Sequence, residues 1–215
     1  MPDNGLMAFW SDIDPDYVLR YQQWHNCEHI PERVTSPGFR RGCRYRAMDN
    51  RPHFLMFYET DAPDALASDY YLNALNNPTP WTRETLQYFR NPVRNIYRRL
   101  ETAGSKGPFA APWITSLRCN SDADLSRWAA QWAGRNGIQR LRLYEVDEKI
   151  SQIMTSERKI YGGGPGAQRY LLLIEQALPD AEPAGDLFNT HPLSDVFTDR
   201  YWLEMSHRKR EGTGE

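Results

Sequence analysis

Cysteine is scarce in this chain. Three occur in 215 residues, Cys27, Cys43 and Cys119, an odd number without Cys-x-x-Cys spacing. A disulfide framework is therefore not expected. Long apolar runs are also missing. No stretch approaches the roughly 18 apolar residues that span a bilayer, and no basic segment followed by an apolar run stands at the N-terminus. Neither sign of charge prevails, with 26 Lys and Arg against 28 Asp and Glu for a net charge of −2. A nucleic-acid partner therefore has no electrostatic footprint. The basic cluster His207-Arg208-Lys209-Arg210 sits beside Glu211 in a Gly-rich tail and reads as a loose end. The run Gly162-Gly163-Gly164-Pro165-Gly166 lacks the Lys-Ser/Thr of a phosphate loop and reads as a mobile loop. The expectation is a cytoplasmic protein with no nucleic-acid and no membrane partner.

Aromatic residues, by contrast, are plentiful: Trp 7, Tyr 12 and Phe 8 supply a substantial core. The densest chemistry lies in Trp24-His25-Asn26-Cys27-Glu28-His29-Ile30-Pro31-Glu32-Arg33, where two of the five histidines, a glutamate and a cysteine fall within five residues. The preceding segment predicts a helix over 15–30. Asp14 suits the N-cap, Pro15 the first helical position, and Asp16 the positive end of the dipole. Val18, Tyr21, His25, Glu28 and His29 then lie along one helical face, widened by Tyr17 and Trp24. Both imidazoles thus continue an apolar, inward stripe. Pro31 lacks the N–H that would bond the Cys27 carbonyl, so the helix is expected to kink or stop there.

Along the chain, strands are predicted at 6–10, 39–47, 53–59 and 93–100, with helices at 15–30, 62–75 and 81–89. The order is β-α-β-β-α-β, the ferredoxin-like split unit. After a weakly patterned linker, residues 101–112, the order resumes with strands at 113–119, 139–146, 170–175 and 201–206. Helices fall at 122–135, at 149–159 as an insertion, and as a short piece at 194–198. The fold class is therefore α+β: two fused ferredoxin-like (βαββαβ) repeats, 1–100 and 113–207, with a tail at 208–215. Packing the two sheets face to face would bury both and close an intramolecular α+β barrel.

The motif at 24–33, with Pro37-Gly38-Phe39 after it and Leu75-Asn76-Asn77-Pro78-Thr79-Pro80-Trp81-Thr82 later, resembles the dimeric α+β barrel superfamily, and within it an EthD-like branch. The match covers roughly residues 5–100. The superfamily includes cofactor-independent cyclases, isomerases, decarboxylases and monooxygenases for small aromatic or polyketide-like molecules, and haem-binding enzymes. The resemblance implies the fold more strongly than the reaction. A homodimer is compatible with it.

The leading expectation is a cofactor-independent lyase or isomerase acting on a small hydrophobic, oxygenated metabolite. His25 or His29 would be the base, the other the acid or oxyanion partner, and Glu28 the orienting carboxylate. Tyr21, Trp24 and Trp81 would wall the cavity. Arg41, which shares a strand face with Cys43 and Tyr45, could bind an anionic group, and His53 could face the pocket. The remaining arginines of that strand, Arg40, Arg44 and Arg46, suit an exposed edge or a face under a helix. A second reading is a haem- or metal-binding protein using the same histidines, and a third is a non-catalytic binder or assembly module. The segment His25-Asn26-Cys27-Glu28-His29 does match H-x-x-E-H of inverted zinc peptidases. It lacks an identifiable third ligand, and Pro31 interrupts the helix, so no metal site is expected. Structure alone, a hydrogen-bonded histidine cluster anchoring a helix end, is the competing explanation.

Overall fold

A computed structural model describes residues 4–49, 51, 53–105, 110–123, 125–131, 137–179 and 193–209. Eight strands carry the architecture. In the first half they are β1 (Gly5–Ile13), β2 (Phe39–Ala47), β3 (His53–Thr60) and β4 (Phe89–Gly104). In the second they are β5 (Trp113–Asn120), β6 (Ile138–Val146), β7 (Tyr170–Gln176) and β8 (Ser194–Arg208). They form one closed barrel in the order β1-β3-β2-β8-β5-β7-β6-β4, and every pairing is antiparallel. The first four strands run β4-β1-β3-β2 and the last four β8-β5-β7-β6, joined at the seams β2·β8 and β4·β6. Closure leaves no free sheet edge.

Strand alternation sorts the side chains into layers. From β1, Leu6, Ala8 and Trp10 point into the barrel, where they meet Tyr45, Leu55, Phe57, Tyr97, Tyr144, Leu171, Leu173 and Tyr201. Met7 and Phe9 point outward, beneath the first-half helices, together with Phe54, Met56 and Tyr58 of β3. The outer face of the second half is filled by Leu117, Leu125, Trp128, Leu141, Leu143, Leu172 and Ile174.

The first-half helical layer begins with a 3-10 turn, Pro15–Tyr17, and α1 (Val18–Trp24). The chain does not stop at Pro31. Residues His25–His29 form a π turn in which the Ile30 N–H donates to the His25 carbonyl five residues back, and α2 (Ile30–Thr35) continues with Pro31 in its first turn. A new helical start accommodates the proline, whose missing N–H costs nothing there. The second crossover holds α3 (Asp69–Asn76) and α4 (Pro80–Leu86), N-capped by Ser68 and Thr79.

Other expectations are revised. Residues 194–198 belong to β8 and not to a short helix, because β8 pairs with β5 from Ser194 onward. β4 runs on to Gly104, past the expected start of the linker, because β6 pairs with it as far as Arg140. In the second half α5 is Leu125–Ala130, and the expected extension to 135 falls on 132–136, outside the described residues. The insertion is two helices, α6 (Glu148–Ser151) and α7 (Ser156–Tyr161). Its glycine run is docked, not mobile: the Arg94 N–H donates to the Gly164 carbonyl and the Gly166 N–H to Asn95 Oδ1. Gly163 has a positive φ of 69°, and a Cβ there would stand 2.6 Å from Pro92 atoms, so only glycine fits. Of the expected tail, 210–215 lie outside the described residues. No helix among the described residues is long and apolar enough to cross a membrane.

Arg40 is exposed and pairs with Asp61, but from Arg41 onward the strand is not a free edge, since β8 covers that side of it. Arg41 and Arg44 are 4% and 2% exposed. Arg41 turns into the barrel and starts an ionic chain: Arg41 to Glu59 at 2.6 Å, Glu59 to Arg142 at 2.5 Å, Arg142 to Glu175 at 2.6 Å, and Glu175 to Arg140 at 2.5 Å. Burial alone would push the Glu59 carboxyl up, but Arg142 and Arg41 hold it down at about 2.

Candidate active site

Between the first-half helices and the outer face of β1, β3 and β4 lies a cavity of about 40 Å³. Met7, Phe9, Met56 and Tyr58 form its floor, with Arg94 from β4 beside them. Trp24, His25 and His29 enter from the π turn and the helix before it, Tyr71, Leu75 and Leu86 from α3 and α4. The roof comes from the other half of the chain: Thr155, Glu157 and Tyr161, on and just before α7. A single π turn inside a helix is a feature often found at functional sites.

His25 is fully buried, stacked on Tyr21 with ring centroids 5.6 Å apart. Arg44 Nη1 donates to its Nδ1 at 3.2 Å and to Asn26 Oδ1 at 2.8 Å, while Arg44 Nε donates to Glu204 Oε2 at 2.7 Å. A guanidinium has no acceptor, so Nδ1 carries the lone pair and the proton sits on Nε2. Nε2 then donates to Tyr58 Oη at 3.4 Å. Burial, reinforced by the Arg44 charge, keeps the imidazole neutral by lowering its pKa well below 6.5.

His29 lies against Trp24 at a centroid distance of 4.3 Å, and its buried Nδ1 has no hydrogen-bond partner. Burial, with Arg33 and His25 adding to it, lowers this pKa well below 6.5 too. Above it, Arg33 Nη2 donates to Glu157 Oε1 and Arg33 Nη1 to Glu32 Oε1 at 3.3 Å. Burial pushes the Glu157 carboxyl up to about 7 despite the opposing pull of Arg33 and Arg94. The cavity thus joins two neutral imidazoles and a carboxyl poised near neutrality, the range in which general acids and bases work.

Of the residues expected from sequence, Trp24, His25 and His29 meet at this cavity. Tyr21 stands behind His25 and does not line it. Glu28 points to the start of α4, where its Oε1 accepts from Thr79 Oγ1 at 2.6 Å and Thr82 Oγ1 at 3.0 Å. Trp81 lies under the Arg20 guanidinium, 4.6 Å from its centroid. Arg41 and His53 belong to the barrel interior, His53 between Asp12 Oδ1 at 2.6 Å and Tyr201 Oη at 2.9 Å. Sequence reasoning missed Arg94, Tyr58, Tyr71, Tyr161 and Glu157. Arg94 shares a strand face with Ile96, an alternation visible in the sequence, whereas nothing local to Glu157 links it to the first half.

Zinc does not fit the H-x-x-E-H segment. His25 Nδ1 already accepts from Arg44, its Nε2 proton faces Tyr58, and Glu28 is held by two threonines. No group of three His, Cys, Asp or Glu among the described residues could hold a metal ion. A haem macrocycle does not fit a cavity of about 40 Å³.

No family model matches the chain, and no curated protein matches its sequence. Solved structures do match. An anthrone oxidase-like protein superposes with a TM-score of 0.65 over 98% of this chain and 95% of its own, at 8% identity. A candidate monooxygenase from Fusobacterium nucleatum gives 0.62 over 97% and 96%, at 6% identity. The chain shares the fold of these proteins, an α+β barrel closed by eight antiparallel strands. A second candidate monooxygenase with this fold, from Lactobacillus acidophilus, gives 0.56 over 95% and 96%, also at 6% identity. At such identities the barrel is shared and the chemistry must be argued from the site.

Proposed function

We propose that this α+β barrel is a small-molecule-processing enzyme, a lyase or isomerase that works by acid–base catalysis on a hydrophobic, oxygenated compound without a cofactor. The observation that carries this reading is the unpartnered, buried Nδ1 of a neutral His29 at the wall of a cavity that also holds Glu157. In this reading His29 takes a proton from a carbon next to a carbonyl. The Nε2–H of His25 and the Tyr58 hydroxyl stabilise the developing enolate oxygen. Protonated Glu157 then returns a proton at the same or a neighbouring carbon, and one proton is taken for each one given. The fold's kinship with an anthrone oxidase-like protein and candidate monooxygenases supports a small oxygenated substrate.

The same proposal includes the ancestry of the fold. Strand order fourth-first-third-second recurs in both halves, which supports two fused ferredoxin-like repeats, the first ending with β4 at Gly104 and the second running from Trp113 to Arg208. The motif at 24–33 supports placement with the EthD-like branch, and a second copy of the chain is a proposed partner.

The test is deuterium exchange at the acidic carbon of small β-dicarbonyl compounds in heavy water, monitored by mass spectrometry. The native chain should accelerate exchange, and His29→Gln should lower the rate by about 10²–10⁴-fold while the protein stays folded. Equal rates for the two folded proteins would defeat the proposal.

A further inference from the structure

The acid–base reading leaves one cavity charge unused. Arg94 stands on the helix-facing side of β4, opposite Phe9 of β1, and lines the cavity. Among the described residues no carboxylate forms an ion pair with it. Its side chain bonds the Tyr71 phenol. The acid whose field it feels, Glu157, already accepts a hydrogen bond from Arg33. Arg44, the next cation in the layer, is tied to Glu204. Both imidazoles are neutral, so two arginines face Glu157 inside, and Glu32 at the rim, its side chain 39% exposed, is the remaining acid beside Arg33.

Arginine cannot shed its proton, so half-buried Arg94 keeps a full positive charge at the cavity wall with no carboxylate of its own. Yet the position is firmly built. The Arg94 N–H bonds the Gly164 carbonyl at 3.2 Å, and the neighbouring Asn95 accepts from the Gly166 N–H at 2.9 Å. Gly163 is pressed on Pro92 where no side chain fits. The docked loop therefore fixes the backbone from which the guanidinium projects.

We infer that Arg94 anchors a carboxylate and that this pocket takes a small hydrophobic monocarboxylic acid. The planar fork of a guanidinium matches the two oxygens of a carboxylate, and Phe9, Leu75, Leu86 and Phe89 offer an apolar wall for the rest of the molecule. A cavity of about 40 Å³ holds on the order of three waters, so the pocket suits acids of a few carbons. The inference names the ligand class for the site proposed above; it rests on the cavity being the binding site and not on the proton-transfer step.

Isobutyrate and isobutyramide have nearly the same shape and differ in charge. Titrating each into the native protein, monitored by the NMR signals of the Trp24 indole and the His29 imidazole, compares them without any variant. Isobutyrate should bind on the order of tenfold or more tightly, the effect of a charge-assisted pair, and should move both signals. Arg94→Gln should remove the preference, and Arg94→Lys should keep part of it. Equal affinities in the native protein, or no binding of isobutyrate, acetate or propionate at these signals, would overturn the inference. If the acid is preferred through Arg94 but no compound exchanges its proton, the acid–base proposal falls and the carboxylate site stands. If neutral β-dicarbonyls exchange with His29 dependence and the acid is not preferred, the reverse holds.

Discussion

Arg44 determines which nitrogen of His25 bears the proton, and so fixes that ring as a neutral donor toward Tyr58. Neutrality has a thermodynamic signature. The native state keeps His25 and His29 unprotonated below the pH at which free histidine, with a pKa near 6.5, gains its proton. The unfolded chain then binds more protons, so this contribution is intact above about 6.5 and declines as pH falls. Glu157 acts with opposite sign. Its carboxyl is raised from 4.5 to about 7, so the native state binds the extra proton between those values, and that contribution declines as pH rises toward 7. Urea midpoints from pH 5 to 7.5 should therefore fall more steeply on acidification in Glu157→Gln than in the native protein, and less steeply in His29→Gln. At this scale the sequence revealed the histidines, because a 3.6-residue period placed them on an apolar stripe. It misled on Glu28, because that residue lies inside the π turn, where helical spacing no longer holds, and its carboxylate is taken by Thr79 and Thr82.

Among the elements, the start of α4 shows what Glu28 does instead. Thr79 caps the helix by accepting from the Thr82 N–H at 3.0 Å, both threonine hydroxyls donate to Glu28, and the Trp24 indole donates to Thr82 Oγ1 at 3.1 Å. A carboxylate at a helix N-terminus is stabilising. Glu28→Gln should accordingly cost about 0.3–1 kcal/mol and Thr79→Ala about 1 kcal/mol in chemical denaturation, with carboxylate affinity and proton exchange close to native. A loss of exchange as large as that of His29→Gln would return Glu28 to the chemistry. Elements with clean alternation were legible: β2 spans Phe39–Ala47 as its alternation predicts, and β3 starts at His53. The 194–198 segment was not, since a strand's pairing partner lies some 75–80 residues earlier in the chain and leaves no local mark.

For the molecule as a whole, the barrel interior holds three arginines and two glutamates in a connected chain. Glu59 links Arg41 of the first half to Arg142 of the second. Removing its charge leaves buried guanidinium groups without compensation, so Glu59→Gln should cost about 3–5 kcal/mol of stability, read from the urea midpoint near pH 7. A change below about 1 kcal/mol would show that water or rearrangement satisfies these arginines. In the sequence Arg41 shared a face with Cys43 and Tyr45, which places it inward. That its partners sit on β3 and β6 is a result of how the sheet closes, which residue patterns do not encode.

The roof of the cavity comes from the β6–β7 connection and its floor from the first half, with Arg33 and Glu157 meeting across 124 residues of chain. Such a construction separates two properties that a single crossover would bind together. The floor and its histidines can be kept, with the docked glycines that hold Arg94, while residues 147–161 are exchanged for another segment of similar span. Each exchange would fit a different ceiling, and a different proton affinity, over the same imidazoles. The cover over the imidazoles is thus a replaceable part, a stretch of sequence, 147–161, that contains no histidine at all.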